Sequence, residues 1–212
     1  MTDNQISGRI TLAKPARAQI EEKKSVFICS VTTVFDETDA RRFIEGVKKE
    51  FYDARHNVFA YILDGGNIAR FTDDGEPKGS AGIPVLNVLK MSGLDGVCAV
   101  VTRYFGGILL GTGGLVRAYS AACKAAVDAA GIAKMEVFSV CETECSYSDY
   151  QKLQSKISSI GAVEENSEFS DVVKFRLSCL AAKFSELEDM IIQTTGGKCL
   201  LKLLYTEERP SN

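Results

Sequence analysis

Residues 103–119 read RYFGGILLGTGGLVRAY, with five glycines in nine positions and an arginine at each end. Two chemistries compete for such a stretch. Glycines let the backbone approach another group closely, and free N–H groups at a helix start attract anions, so the stretch could cradle a phosphate. It could equally be a tight strand-to-helix turn. Gly106 and Gly111 have the GxxxxG spacing with Thr112 next, but the lysine of a nucleotide-hydrolysing loop is absent, and a dinucleotide fingerprint cannot be aligned to GGILLGTGG. An anion or partner surface remains, with Thr112 expected to cap a helix starting near Gly114 and with Arg103 and Arg117 supplying planar, permanently charged donors.

A second constellation is TDDGEPKGSAGIP, where Asp73, Asp74 and Glu76 surround Gly75 and precede Pro77. Only fragments of a calcium loop are present, whereas magnesium needs no more than one or two carboxylates plus a substrate phosphate. The competing reading is internal: Asp74 or Glu76 bridging to Arg103. His56 is the single imidazole of the chain. A general base wants a nucleophile and an orienting acid nearby, and no GxSxG elbow surrounds any serine. His56 is therefore expected to open a strand and bond a loop. Seven cysteines, an odd number without CxxC, sit mostly in apolar runs and read as reduced, buried thiols. Cys141 and Cys145 form at most a weak metal half-site. No metal ligand, cofactor or catalytic residue is assigned.

These residues need elements to position them. ARAQIEEKKSVFICSVTTV predicts a hairpin turning near Lys23–Lys24, and ETDARRFIEGVKKEFYDA predicts an amphipathic helix. HNVFAYILDGGNIARFTDDGE is a second hairpin about Gly65–Gly66, and IPVLNVLKMSG a short helix. The unbroken Val/Ala run of GVCAVVTRYF marks a buried strand, and a long helix follows the glycines through Ala130. The order ββαββαβα suits a two-layer α/β sandwich over residues 1–134. From Met135 the order is β-α-β-β-α-β, the ferredoxin-like arrangement, with Ser148 as the expected cap of its first helix, Gly161 ending that helix, and residues 135–212 as the second domain. The fold class is α+β.

Residues 1–134 carry 17 Lys/Arg against 15 Asp/Glu, while residues 135–212 carry 8 against 13. Neither half is a strongly basic nucleic-acid coat, so polyanion contact must come from a local patch in the first half. No run approaches the ~20 apolar residues of a membrane span, and nothing at the start resembles a secretory signal. A cytoplasmic protein without membrane contact or a DNA-specific signal is expected.

RHNVFAYI, TDDGEPKGSAGIPVLNVL and GVCAVVTRYFGGILLGTGGLVRAYSAA, in this order and spacing, resemble the YigZ/IMPACT family. The resemblance covers about residues 20–130 in its motifs, and the C-terminal unit is similar to the small domain of bacterial members. It implies an N-terminal fold similar to domain IV of elongation factor G and a C-terminal fold similar to that factor's ferredoxin-like domains. It also implies a link to regulation of translation, although the kinase pathway of eukaryotic members is not carried over. The surface it points to is Arg103, Tyr104, Gly106, Gly107, Gly111, Thr112, Gly113, Gly114 and Arg117. A second motif comprises His56, Asp73, Asp74, Gly75, Glu76 and Pro77. The expected function is a non-enzymatic regulator that binds RNA, the ribosome or a translation-related protein. A small hydrolase or phosphate-ligand enzyme using the DDGE loop and His56, and a plain interaction module, are the alternatives.

Overall fold

The computed structural model describes residues 8–211. The chain divides into two compact units, one running to Met135 and joined again by Pro210 and the residues after it, the other spanning Glu136–Arg209. Among the described residues no helix is long and apolar enough to cross a membrane.

The first unit contains β1 (Ile10–Leu12), β2 (Ala16–Glu22), β3 (Ser25–Thr33), α1 (Glu37–Glu50), β4 (His56–Leu63), β5 (Ile68–Thr72), α2 (Gly82–Met91), β6 (Val97–Tyr104) and α3 (Gly111–Ala130). Its antiparallel sheet has the order β2-β3-β6-β4-β5. The β2–β3 hairpin turns at Lys23 and Lys24, both at positive φ, where expected.

Strand β6 is apolar from Val97 to Val101 because both of its faces are covered. Val97, Ala99 and Val101 pack with Phe27, Val58 and Ala60 beneath α2 and α3, while Cys98 and Val100 pack with Tyr61 beneath Ala40, Ile44 and Val47 of α1. The helix-on-sheet sandwich is thus present, with α1 adding a layer on the opposite face. Asp36 starts α1 by accepting the amide of Asp39 at 2.8 Å.

Strand β7 (Ile132–Cys145) begins in the first unit, where residues 132–134 pair with β1, and continues into the second. There it is followed by α4 (Tyr147–Ile157), β8 (Val163–Phe169), β9 (Val173–Leu180), α5 (Phe184–Thr195) and β10 (Lys202–Ser211). The strand order β10-β7-β9-β8 is ferredoxin-like. Cys141, Phe175, Leu177 and Cys179 on one sheet face pack with Leu153, Ile157, Leu187 and Ile191 of the two helices.

The cap of α4 differs from expectation. Ser146, with extended backbone, accepts the Asp149 amide at 3.2 Å, and Ser148 lies inside the first turn. All seven cysteines are free and buried. Burial pushes the Cys141 thiol up to about 12 and that of Cys145 up to about 11.

Candidate functional site

Both sequence motifs open onto one cleft of about 410 Å³ in the first unit. The acidic loop between β5 and α2 contributes Gly75, Glu76 and Pro77; the start of β4 contributes Arg55 and His56. Arg103, Phe105, Leu109, Leu110, Gly111, Thr112 and Leu115 come from the end of β6, the glycine loop and the first turns of α3.

At the floor, Arg103 Nη1 donates to Glu76 Oε1 at 2.5 Å. The two side chains are only 7% and 4% exposed. Oε1 also accepts from the Tyr119 hydroxyl at 2.8 Å. Burial, the Glu76 charge and this hydrogen bond hold the Tyr119 hydroxyl far above its ordinary value. The Arg103 guanidinium lies 5.4 Å from the Phe27 ring centroid and 5.7 Å from that of Phe105. Its burial follows from strand parity: Arg103 continues the Val97, Ala99, Val101 series that faces α2 and α3.

The bridge to Glu76 realises the internal reading of the acidic loop. The other two carboxylates are also turned inward. Asp73 accepts the amides of Gly79 (2.8 Å), Ala81 (3.2 Å) and Gly82 (2.8 Å), satisfying the start of α2, which has no cap of its own. Asp74, at φ 45°, accepts the Asn57 amide at 2.6 Å.

His56 opens β4, and its Nδ1 lies 2.6 Å from the Asp74 carbonyl oxygen. A carbonyl only accepts, so Nδ1 carries the proton and donates. Nε2 then faces Glu76 Oε1 at 3.9 Å, too far for a hydrogen bond. Gly75 packs against this imidazole. With its carboxylates engaged by protein groups, the loop is built as a brace.

The glycine loop is arranged differently. A Cβ at Gly106 would lie 2.0 Å from the Lys24 carbonyl carbon, so the β2–β3 turn closes directly on this glycine, whose amide donates to Ser25 Oγ at 3.1 Å. Gly107 and Gly111 have positive φ, with open space where a side chain would stand. Helix α3 begins at Gly111, one turn earlier than expected. Thr112 is therefore not its cap: it sits exposed within the first turn, and the capping position is taken by Leu110, which makes no side-chain cap bond. Gly111 and Thr112 of the first turn thus line the cleft at the start of a 20-residue helix that no side chain caps.

Gly113 is exposed and Gly114 buried against Leu110. Arg117 does not join Arg103 in the cleft. It lies on the outer face of α3, with Nη1 3.8 Å from where a Cβ on residue 113 would sit. Tyr104 points away from the face covered by α2 and α3 and donates to Asp53 at 2.7 Å.

Sequence reasoning missed Arg55, Phe105, Leu109, Leu110 and Tyr119. Arg55 was signalled by its place beside His56, and Tyr119 by closing the glycine stretch. Leu109 is 83% exposed, which no pattern in an apolar triplet reveals.

The fold and cleft define a two-domain α+β protein in which a glycine loop and an acidic brace share one site in the first domain. The model of the Impact N-terminal domain matches residues 23–127, and that of a domain of unknown function, DUF1949, matches residues 143–198. IMPACT family member YvyE of Bacillus subtilis is 33% identical over 202 residues, covering 93% of each chain. IMPACT family member YigZ of Escherichia coli is 34% identical, covering 92% of this chain and 97% of its own. A Protein IMPACT homolog of Schizosaccharomyces pombe is 31% identical over 96 residues, covering 43% of this chain and 34% of its own. A crystal structure of a hypothetical protein aligns with a TM-score of 0.59 at 32% identity, covering 94% of this chain and 98% of that one. The chain belongs to the IMPACT family.

Proposed function

We propose that this protein is a non-enzymatic, translation-associated regulator that binds RNA, including ribosomal RNA, through the glycine loop and its surroundings. The observation that carries this reading is a mismatch of charge between the acidic loop and the surface around the cleft and glycine loop. The acidic loop's carboxylates are turned inward, while cations and uncapped amides are left outward. Arg55 lines the cleft, exposed Lys78 follows Pro77, exposed Lys24 borders Gly106, and Arg117 reaches over Gly113. Such a rim favours a phosphate backbone, although the chain as a whole carries a formal charge of −3. The family resemblance supplies the link to translation.

Arg103 is buried and paired, so removing it would test folding. The informative pair is Arg55→Ala with Arg117→Ala. Co-sedimentation with ribosomal subunits across a salt series should show retention at low salt. The log–log salt slope should fall by about 1.4–1.8 in the double variant, as expected for two lost phosphate contacts. An unchanged slope would remove this surface from consideration.

A protein partner is the second reading, favoured by exposed Ile108 and Leu109 at the tip of the loop. Retention that survives nuclease but is lost in Leu109→Ser would select it.

A further inference from the structure

The floor of the cleft retains hydrogen-bonding capacity that the protein does not use. Of the Arg103 nitrogens, only Nη1 has an acceptor. Nε is buried without a partner, although the side chain is more than nine-tenths buried and lines the cleft. Glu76 also lines it, and Oε1 takes both hydrogen bonds made by that carboxylate, leaving Oε2 without a donor. A sealed guanidinium nitrogen without an acceptor is costly, and beside it the carboxylate keeps an unused oxygen that is not sealed.

A lone anion does not complete this set, because Glu76 would repel it. A lone cation would be repelled by Arg103. The complementary group is flat and neutral, with an N–H donor beside an acceptor, which describes the edge of a nucleobase. One wall of the cleft is planar as well: the Phe105 ring is 41% exposed, with the Arg55 guanidinium 5.9 Å from its centroid. Bases stack on both kinds of surface. At the mouth stands the uncapped start of α3, suited to a phosphate.

We infer that the cleft is a single-nucleotide subsite. The base edge meets Glu76 Oε2 and the unused Nη2 of Arg103, the ring lies against Phe105 and Arg55, and the phosphate sits at the first-turn amides of α3. This rests on the RNA reading and sharpens it: one nucleotide of the strand leaves the stack and enters the protein.

Calorimetric or NMR titration of the full chain with AMP, GMP, CMP and UMP, beside ribose 5-phosphate, inorganic phosphate and guanosine, tests it. At least one nucleotide should bind saturably. It should do so roughly tenfold more tightly than ribose 5-phosphate, phosphate or guanosine, as befits two sets of contacts used together. Thr112→Glu is the informative variant, since an acidic residue in a first turn favours the helix while opposing phosphate. Its thermal midpoint should be unchanged or raised, with nucleotide affinity reduced roughly tenfold.

Absence of saturable binding at millimolar nucleotide would overturn the subsite. So would ribose 5-phosphate or inorganic phosphate binding as well as any nucleotide, which leaves only an anion site. Guanosine equalling GMP, where GMP is the best ligand, or an unaffected Thr112→Glu would remove the helix end from it. Loss of nucleotide binding while RNA retention keeps its dependence on Arg55 and Arg117 would defeat the subsite alone. Nucleotide binding without RNA retention would defeat the RNA reading alone.

Discussion

The turn after β5 and the turn after β6 border the same cleft, yet they handle their polar groups in opposite ways. In the acidic turn, Asp73 takes three amides, Asp74 takes one, and Glu76 takes Arg103 and Tyr119. In the glycine turn, α3 starts without a side-chain cap, and Gly107 and Gly111 stand in open space. From composition alone the acidic turn has the chemically richer inventory. The number of unfilled bonds reverses that ranking. The proposed binding capacity lies where the fold leaves donors over, and the acidic turn is the brace beside them.

The sharpest way to break this contrast is to disable the brace. Glu76→Gln keeps the shape of the side chain but leaves the Arg103 charge without a counter-ion in a site 93% shielded from solvent. Breaking a buried pair from one side costs roughly 3–5 kcal/mol. Denaturant unfolding should show a loss of that order in the first domain. The double variant Glu76→Met with Arg103→Met should recover most of it, because removing both charges also removes the unpaired one. A loss below about 1 kcal/mol for Glu76→Gln, the range of an exposed pair, would mean that the floor is wetter than its burial implies.

The glycine turn divides internally along the same line. Gly106 belongs to the architecture: a Cβ there would meet the Lys24 carbonyl carbon at 2.0 Å, backbone against backbone. Gly106→Ala should therefore force the β2–β3 turn outward, at a cost in the overpacking range of roughly 1–3 kcal/mol. A variant as stable as the parent would show that this turn yields freely, and that the close approach is incidental.

Much of this was legible in the sequence, for identifiable reasons. Hairpin turns at Lys23–Lys24 and Gly65–Gly66, the helix end at Gly161, and the βαββαβ order of the second domain are local signals, and local signals survive folding. A bridge from Arg103 to the acidic loop was legible too, with Asp74 or Glu76 as its partner, and the structure selects Glu76. The start of α3 was not. Leu110, Gly111, Thr112 and Gly113 include a threonine that would serve as a cap one turn later, and only the packing of Leu115, Ala118 and Tyr119 on the sheet fixes the helix at Gly111. The layer added by α1 was hidden because an amphipathic helix does not record which face of a sheet receives it. The candidate residues were named from the sequence as two motifs. That members of both line one cleft, and that Arg117 stands outside it, depends on tertiary placement.

Gly113 provides the smallest effect and the finest test of the contrast. It is helical and exposed, and a Cβ there would meet only Arg117 Nη1, at an ordinary 3.8 Å. Gly113→Ala should stabilise the protein by about 0.5–1 kcal/mol, since nothing is displaced and the unfolded chain loses freedom. If the open surface over the first turn of α3 is where a phosphate backbone approaches, the added methyl group should weaken RNA retention while raising stability. Thermal unfolding and co-sedimentation of the same preparation read both. Opposite signs would mark Gly113 as a glycine kept for approach, unlike Gly106, which is kept for packing. Stabilisation with undiminished retention would place the RNA elsewhere and leave the glycine turn a matter of chain geometry alone.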